Sequence, residues 1–113
     1  MSRVRHIVLF VIHEQATDEQ ARDGALALRG LGDAPGLLEW RIELSQDLRK
    51  GRVIVENALF VDQAVLTAFR LSPAHREVAD LLAGMADWVV GDYLEGEAPV
   101  AVPFATAVSA ALD

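Results

Sequence analysis

The segment Ser72-Pro73-Ala74-His75 places an imidazole in the first turn of a helix, where the backbone bears directly on its proton chemistry. Ser72 is a good N-cap, and Pro73 suits the first helical position because its missing N–H leaves nothing unpaired there. His75 is then the third helical residue. The partial positive charge of a helix start disfavours imidazolium, so His75 is expected to titrate below its ordinary value of about 6.5. A neutral ring near pH 7 can donate or accept a proton and can hydrogen-bond a ligand carbonyl, which makes His75 the candidate base. Glu or Gln would serve the same capping position equally well, so a structural helix-start residue is the competing reading.

Two further residues have chemistry to offer. His6 sits in an otherwise apolar strand, Arg3 to His13, and a polar group buried there needs a partner. Glu56 interrupts the run Arg52 to Phe60 in the same way. If His6, Glu56 and His75 share a cavity, a carboxylate–imidazole pair forms an acid–base unit. The alternatives are a satisfied core histidine and an edge or interface glutamate paired with arginine.

Other chemistries find no support. The chain has no cysteine, which excludes disulfides, thiolate metal sites and thiol catalysis. Asp92, Glu95 and Glu97 cluster near the end, but a metal needs three or four converging ligands, and a solvated turn explains them better. Gly24, Gly30, Gly32 and Gly36 do not follow a strand and open a helix, so they form no dinucleotide fingerprint. Neither a Gly-x-Ser-x-Gly elbow nor a phosphate loop is present. No cofactor is expected. The net charge of −7, with ten scattered basic residues, argues against nucleic acid.

The elements that must position these residues follow from the hydrophobic pattern. Arg3 to His13 reads as a strand with Val4, His6, Val8, Phe10 and Ile12 on one face and Ile7, Leu9 and Val11 on the other. Both faces are apolar, so the strand is central and covered on both sides. Thr17 to Gln20 matches a capping box opening a helix to about Leu31, which Gly30, Gly32, Pro35 and Gly36 end. Leu37 to Ser45 alternates, with Leu38, Trp40, Ile42 and Leu44 on one side, and pairs antiparallel with Arg52 to Phe60. Asp62 to Leu71 is a short helix. A second runs from Ser72-Pro73 to about Asp87, its stripe including Val78, Leu81, Met85 and Trp88, and Val89 to Leu94 is the last strand.

Strand–helix–strand–strand–helix–strand is the α+β, ferredoxin-like pattern, with the second helix broken at Ser72-Pro73 and one antiparallel four-stranded sheet. Its helices cover one sheet face only. The apolar second face of the first strand, in a chain that is 52% apolar, predicts a face-to-face homodimer burying roughly 1,200 Å² or more. No segment has the length of a membrane span or the form of a targeting signal, so the expected compartment is the cytoplasm. Trp40, Trp88 and Tyr93 read as core or dimer contacts.

The runs Arg5-His6-Ile7-Val8-Leu9-Phe10, Pro35-Gly36, Ser72-Pro73-Ala74-His75 and Asp92-Tyr93, in that order and spacing, resemble the stress-responsive A/B barrel (Dabb) family from about residue 3 to 94. The resemblance implies a ferredoxin-like subunit whose sheet pairs into a dimeric α/β barrel. It implies little about activity. The best understood members are plant polyketide cyclases, which work without metal or redox cofactor. By position, His6 matches their first-strand histidine and His75 their catalytic histidine. Phe69 stands where they have a catalytic tyrosine and Ile54 at or near a third pocket histidine, so the phenol is missing here. Val8, Phe10, Phe69 and Trp88 become the expected ligand-binding residues, around a small apolar, aromatic or carbonyl compound. The expected function is a Dabb homodimer of unassigned activity. Its alternatives are a cofactor-independent cyclase or isomerase with His75 as base, and a structural stress or interaction protein without a ligand.

Residues 1–95 are the expected domain and 96–113 an extension. The extension is mostly apolar, and Pro99 and Pro103 forbid a regular helix or central strand there. Val100, Val102 and Phe104 are expected to pack in an extended stretch against the partner subunit.

Overall fold

The computed structural model describes residues 2–96. Four strands and three helices follow one another as β1 (Val4–Ile12), α1 (Asp18–Arg29), β2 (Leu37–Leu44), β3 (Val53–Phe60), α2 (Gln63–Leu71), α3 (Pro73–Ala83) and β4 (Ala86–Leu94). The sheet order is β2-β3-β1-β4 with every neighbour antiparallel, the ferredoxin-like arrangement, and β1 lies between β3 and β4.

β1 has a hydrophobic residue at nearly every position, yet the structure treats its two faces differently. Val4, His6, Val8, Phe10 and Ile12 are buried under the helices, while Leu9 on the opposite face is 38% exposed. The same alternation runs through β3, where Ile54, Glu56, Ala58 and Phe60 face the helices. Leu28 of α1, Leu66 of α2 and Leu82 of α3 complete the core from above. Trp40 closes it beside β2, donating its indole N–H to the carbonyl of Leu28 at 3.0 Å.

Each helix start is fixed by a local side chain. Thr17 Oγ1 accepts from the amide of Gln20, whose side-chain carbonyl accepts from the amide of Thr17, a complete capping box. Asp62 caps α2 through the amide of Val65. Ser72 serves two helices: its hydroxyl donates to the carbonyl of Phe69 and accepts from the amide of His75. One serine therefore ends α2 and starts α3.

Three expectations need correction. The helix expected to reach Asp87 stops at Ala83, because Gly84 caps it. Ala86, Asp87 and Trp88 instead extend β4, so Trp88 lies on a strand rather than on a helical stripe. Cross-strand pairing with Phe10 outweighs the helical spacing. The alternation of β2 is also broken, because the register steps from Leu37↔Phe60 to Glu39↔Leu59 and leaves Leu38 as an extra residue. Leu38 is consequently exposed, and Leu44 is exposed near the end of this edge strand. The extension with Val100, Val102 and Phe104 lies outside the described residues.

Gly36, between α1 and β2, has φ of +77°, and a Cβ there would lie 2.6 Å from Val65 Cγ1. Both the left-handed backbone and the close approach require glycine. Gly36→Ala is expected to cost about 1–3 kcal/mol in urea unfolding; an unchanged midpoint would contradict this account. No helix among the described residues is long and apolar enough to cross a membrane.

Candidate functional site

Strand register brings the polar groups together. His6 on β1 stands directly opposite Asp92 on β4, and Val8, two residues on, stands opposite Glu56 on β3. His6, Glu56 and Asp92 therefore share the helix-covered face, with Glu56 one diagonal step from His6. The imidazole uses both nitrogens: Nδ1 is 2.6 Å from Asp92 Oδ1 and Nε2 is 3.1 Å from Glu56 Oε2. Arg70, from the last turn of α2, donates to the other oxygen of Asp92 at 2.7 Å. Charge alternates along the row Glu56, His6, Asp92, Arg70, from the protein interior to its surface.

Burial works against a charged His6, but the carboxylates of Glu56 and Asp92 outweigh it and hold the ring above its ordinary pKa. The imidazolium can donate to both carboxylates at once. No lone pair is left for a ligand, so His6 organises its neighbours rather than acting as a base.

His75 is different. Its ring is half-buried and packs edge-on against Phe69 at 5.0 Å between centroids. Burial pushes its pKa down, and the positive charges of His6 and Arg70 add to that, while Glu56 and a hydrogen bond to the Arg70 backbone oppose it. The ring is thus the neutral imidazole that its place in the first turn of α3 suggested.

His6, Glu56, Arg70 and His75 form the polar end of a cavity of about 230 Å³ between the sheet, α1 and α3. Its apolar walls include Val8, Phe10, Leu28, Val78, Leu82 and Trp88. Phe10 and Trp88 stack at a tilt, 5.4 Å between ring centroids. Arg70, Trp88 and Val90 are its exposed members and mark the side open to solvent.

Of the residues expected from sequence, His6, His75, Glu56, Val8, Phe10 and Trp88 meet at this one site. Phe69 is not in the cavity wall; it backs His75 and packs on Phe60 at 5.1 Å. Ile54 is fully buried core. Glu56 is paired with His6 under the helices, which removes the reading of an interface glutamate held by arginine. The acidic group near the end disperses, since Asp92 pairs with His6 and Arg70, and Glu95 with Arg5. Glu97 lies outside the described residues. Among the described residues no three His, Cys, Asp or Glu converge as metal ligands.

Arg70 and the pairing of Asp92 with His6 escaped sequence reasoning. The signal for Asp92 was its parity: Trp88, Val90 and Asp92 alternate onto one face of β4. Arg70 had no local signal, because its role depends on how α2 crosses the sheet.

The model of the stress-responsive A/B barrel domain matches residues 4–95, which include every residue of this site. The chain belongs to that family. As a Dabb domain it has solved structural relatives with the same subunit fold. A dimeric ferredoxin-like protein of unknown function from Thermobifida fusca superposes with a TM-score of 0.74 at 23% identity, covering 82% of this chain and 91% of that one. The hydroxynitrile lyase of Passiflora edulis also gives 0.74, at 24% identity, covering 86% and 96%. SnoaB, a cofactor-independent oxygenase from Streptomyces nogalater, gives 0.67 at 17% identity, covering 91% and 99%. No curated protein sequence matches the chain. These likenesses establish the fold alone, and a shared fold does not fix an activity.

Proposed function

We propose that this Dabb protein is a homodimer whose subunits each bind a small, largely apolar aromatic or carbonyl compound. The observation that carries the reading is the cavity itself, apolar along its walls with polar groups converging at one end, the usual form of a small-molecule site. Its size sets the ligand. A dry cavity of about 150 Å³ accommodates benzene, so about 230 Å³ suits a single ring with a small substituent. Drug-sized ligands occupy roughly 300 Å³ or more, which disfavours an extended polyketide chain.

The homodimer is supported by the open sheet face. Ile7, Leu9 and Val11 of β1 lie beside Val53 and Val55 of β3 and Val89 of β4, with Leu9 38% and Val89 61% exposed in the isolated subunit. A second copy is the simplest cover for so continuous an apolar face. The Thermobifida fusca relative is described as dimeric.

Neutral His75 in the cavity favours a catalytic version of this reading: cofactor-independent proton transfer at a carbon next to a carbonyl, with His75 as base. Exchange of the methyl protons of acetophenone in deuterated buffer tests it. The wild-type protein is expected to accelerate exchange saturably, and His75→Ala to lower that rate at least about a hundred-fold while still binding acetophenone. An unchanged exchange rate in His75→Ala would remove His75 as the base. Absence of acetophenone binding to the wild-type protein would remove the proton-transfer reading.

A further inference from the structure

His6 has no donor left for a ligand, and that commitment shapes what the polar end of the cavity can recognise. Both ring nitrogens face carboxylates, Asp92 at 2.6 Å and Glu56 at 3.1 Å. Glu56, only 3% exposed, nevertheless forms part of the cavity wall. A carboxylate presents acceptors only. Its Oε2 lies 3.1 Å from His6 Nε2, and Glu56 lines a space whose walls include Val8, Phe10, Leu28, Leu82 and Trp88.

A ligand carbonyl or ether oxygen against Glu56 would set two acceptors face to face, with no proton between them and little water to separate them. An O–H there would complete a charge-assisted hydrogen bond, the stronger kind. His6 is then a positioning residue for Glu56, and Asp92 and Arg70 hold His6 in turn, so that the carboxylate is fixed at the cavity wall.

We propose that the cavity is selective for a hydroxylated single-ring compound, a phenol or the enol of a small ketone, whose O–H donates to Glu56. This rests on the reading of the cavity as a ligand site and adds the chemical group that the site selects.

A matched pair of probes tests the proposal on the intact wild-type protein. 4-Methylphenol and 1,4-dimethylbenzene differ by one hydroxyl in place of one methyl. Titration followed by tryptophan fluorescence reports on Trp88 in the cavity wall. 4-Methylphenol is expected to bind at least about ten-fold more tightly, because a site built to hydrogen-bond a hydroxyl discriminates strongly against analogues lacking it. Glu56→Gln, whose amide can keep its oxygen on His6 and turn an N–H₂ to the cavity, should cut that ratio at least several-fold. Equal binding of the two probes to the wild-type protein would overturn hydroxyl selectivity and leave the ligand site intact. Failure of both probes to bind would overturn the ligand site and this proposal with it. The wild-type comparison decides the point even if Glu56→Gln folds poorly.

Discussion

Replacing His6 by alanine is expected to destabilise the subunit by about 3–5 kcal/mol, because it leaves the Glu56 carboxyl buried and without its partner. Both side chains of this pair are 3% exposed. Such a loss is a large share of the about 5–15 kcal/mol that holds a domain of this kind together. Urea unfolding of the wild type, of His6→Ala and of a doubly apolar variant, His6→Leu with Glu56→Leu, measures it. The double variant should recover most of the stability, since it removes the charge as well as the partner. A single variant within about 1 kcal/mol of wild type would contradict the pairing.

The pH dependence has a definite sign. The folded pKa of His6 is raised above its unfolded value of about 6.5. Its stabilising contribution is therefore complete below that value and is lost as the pH rises through the folded pKa. Wild-type stability should fall with pH across that window, and the doubly apolar variant should lack this component of the slope.

Leu9→Arg is expected to convert a dimer into a monomer. Leu9 sits mid-strand on β1, opposite Val55 on one side and Val89 on the other, at the centre of the open sheet face. An arginine there would have to be desolvated in a two-fold interface of about 1,200–2,000 Å². Because Leu9 is partly exposed in the subunit, the substitution should leave the circular dichroism spectrum unchanged. Light scattering at micromolar concentration should give twice the subunit mass for wild type and the subunit mass for Leu9→Arg. A monomeric wild type, or a dimeric variant, would sink the assignment of this face.

Much of this molecule could be read from its residues. Capping signals at Thr17 and Ser72 are local, because a side chain and an amide three residues on are close in any helix start, and the structure uses both. Alternation on β1 likewise separates one face from the other without any tertiary information. His75 in the first turn of α3, with a lowered pKa, follows from the same local logic, although burial rather than the helix end is the largest cause. Other features depend on which strands meet. The extra residue at Leu38 arises from the pairing of β2 with β3, and the end of α3 from a contest between helical spacing and the pairing of Trp88 with Phe10. The partners of His6 were beyond local reading for the same reason: Asp92 lies 86 positions away, and Arg70 reaches it from a helix. Sequence alone determined that a histidine, a glutamate and a second histidine had to be accommodated in an apolar subunit. Only the register of three strands decided that His6 is held between two carboxylates, while His75 on α3 packs against Phe69.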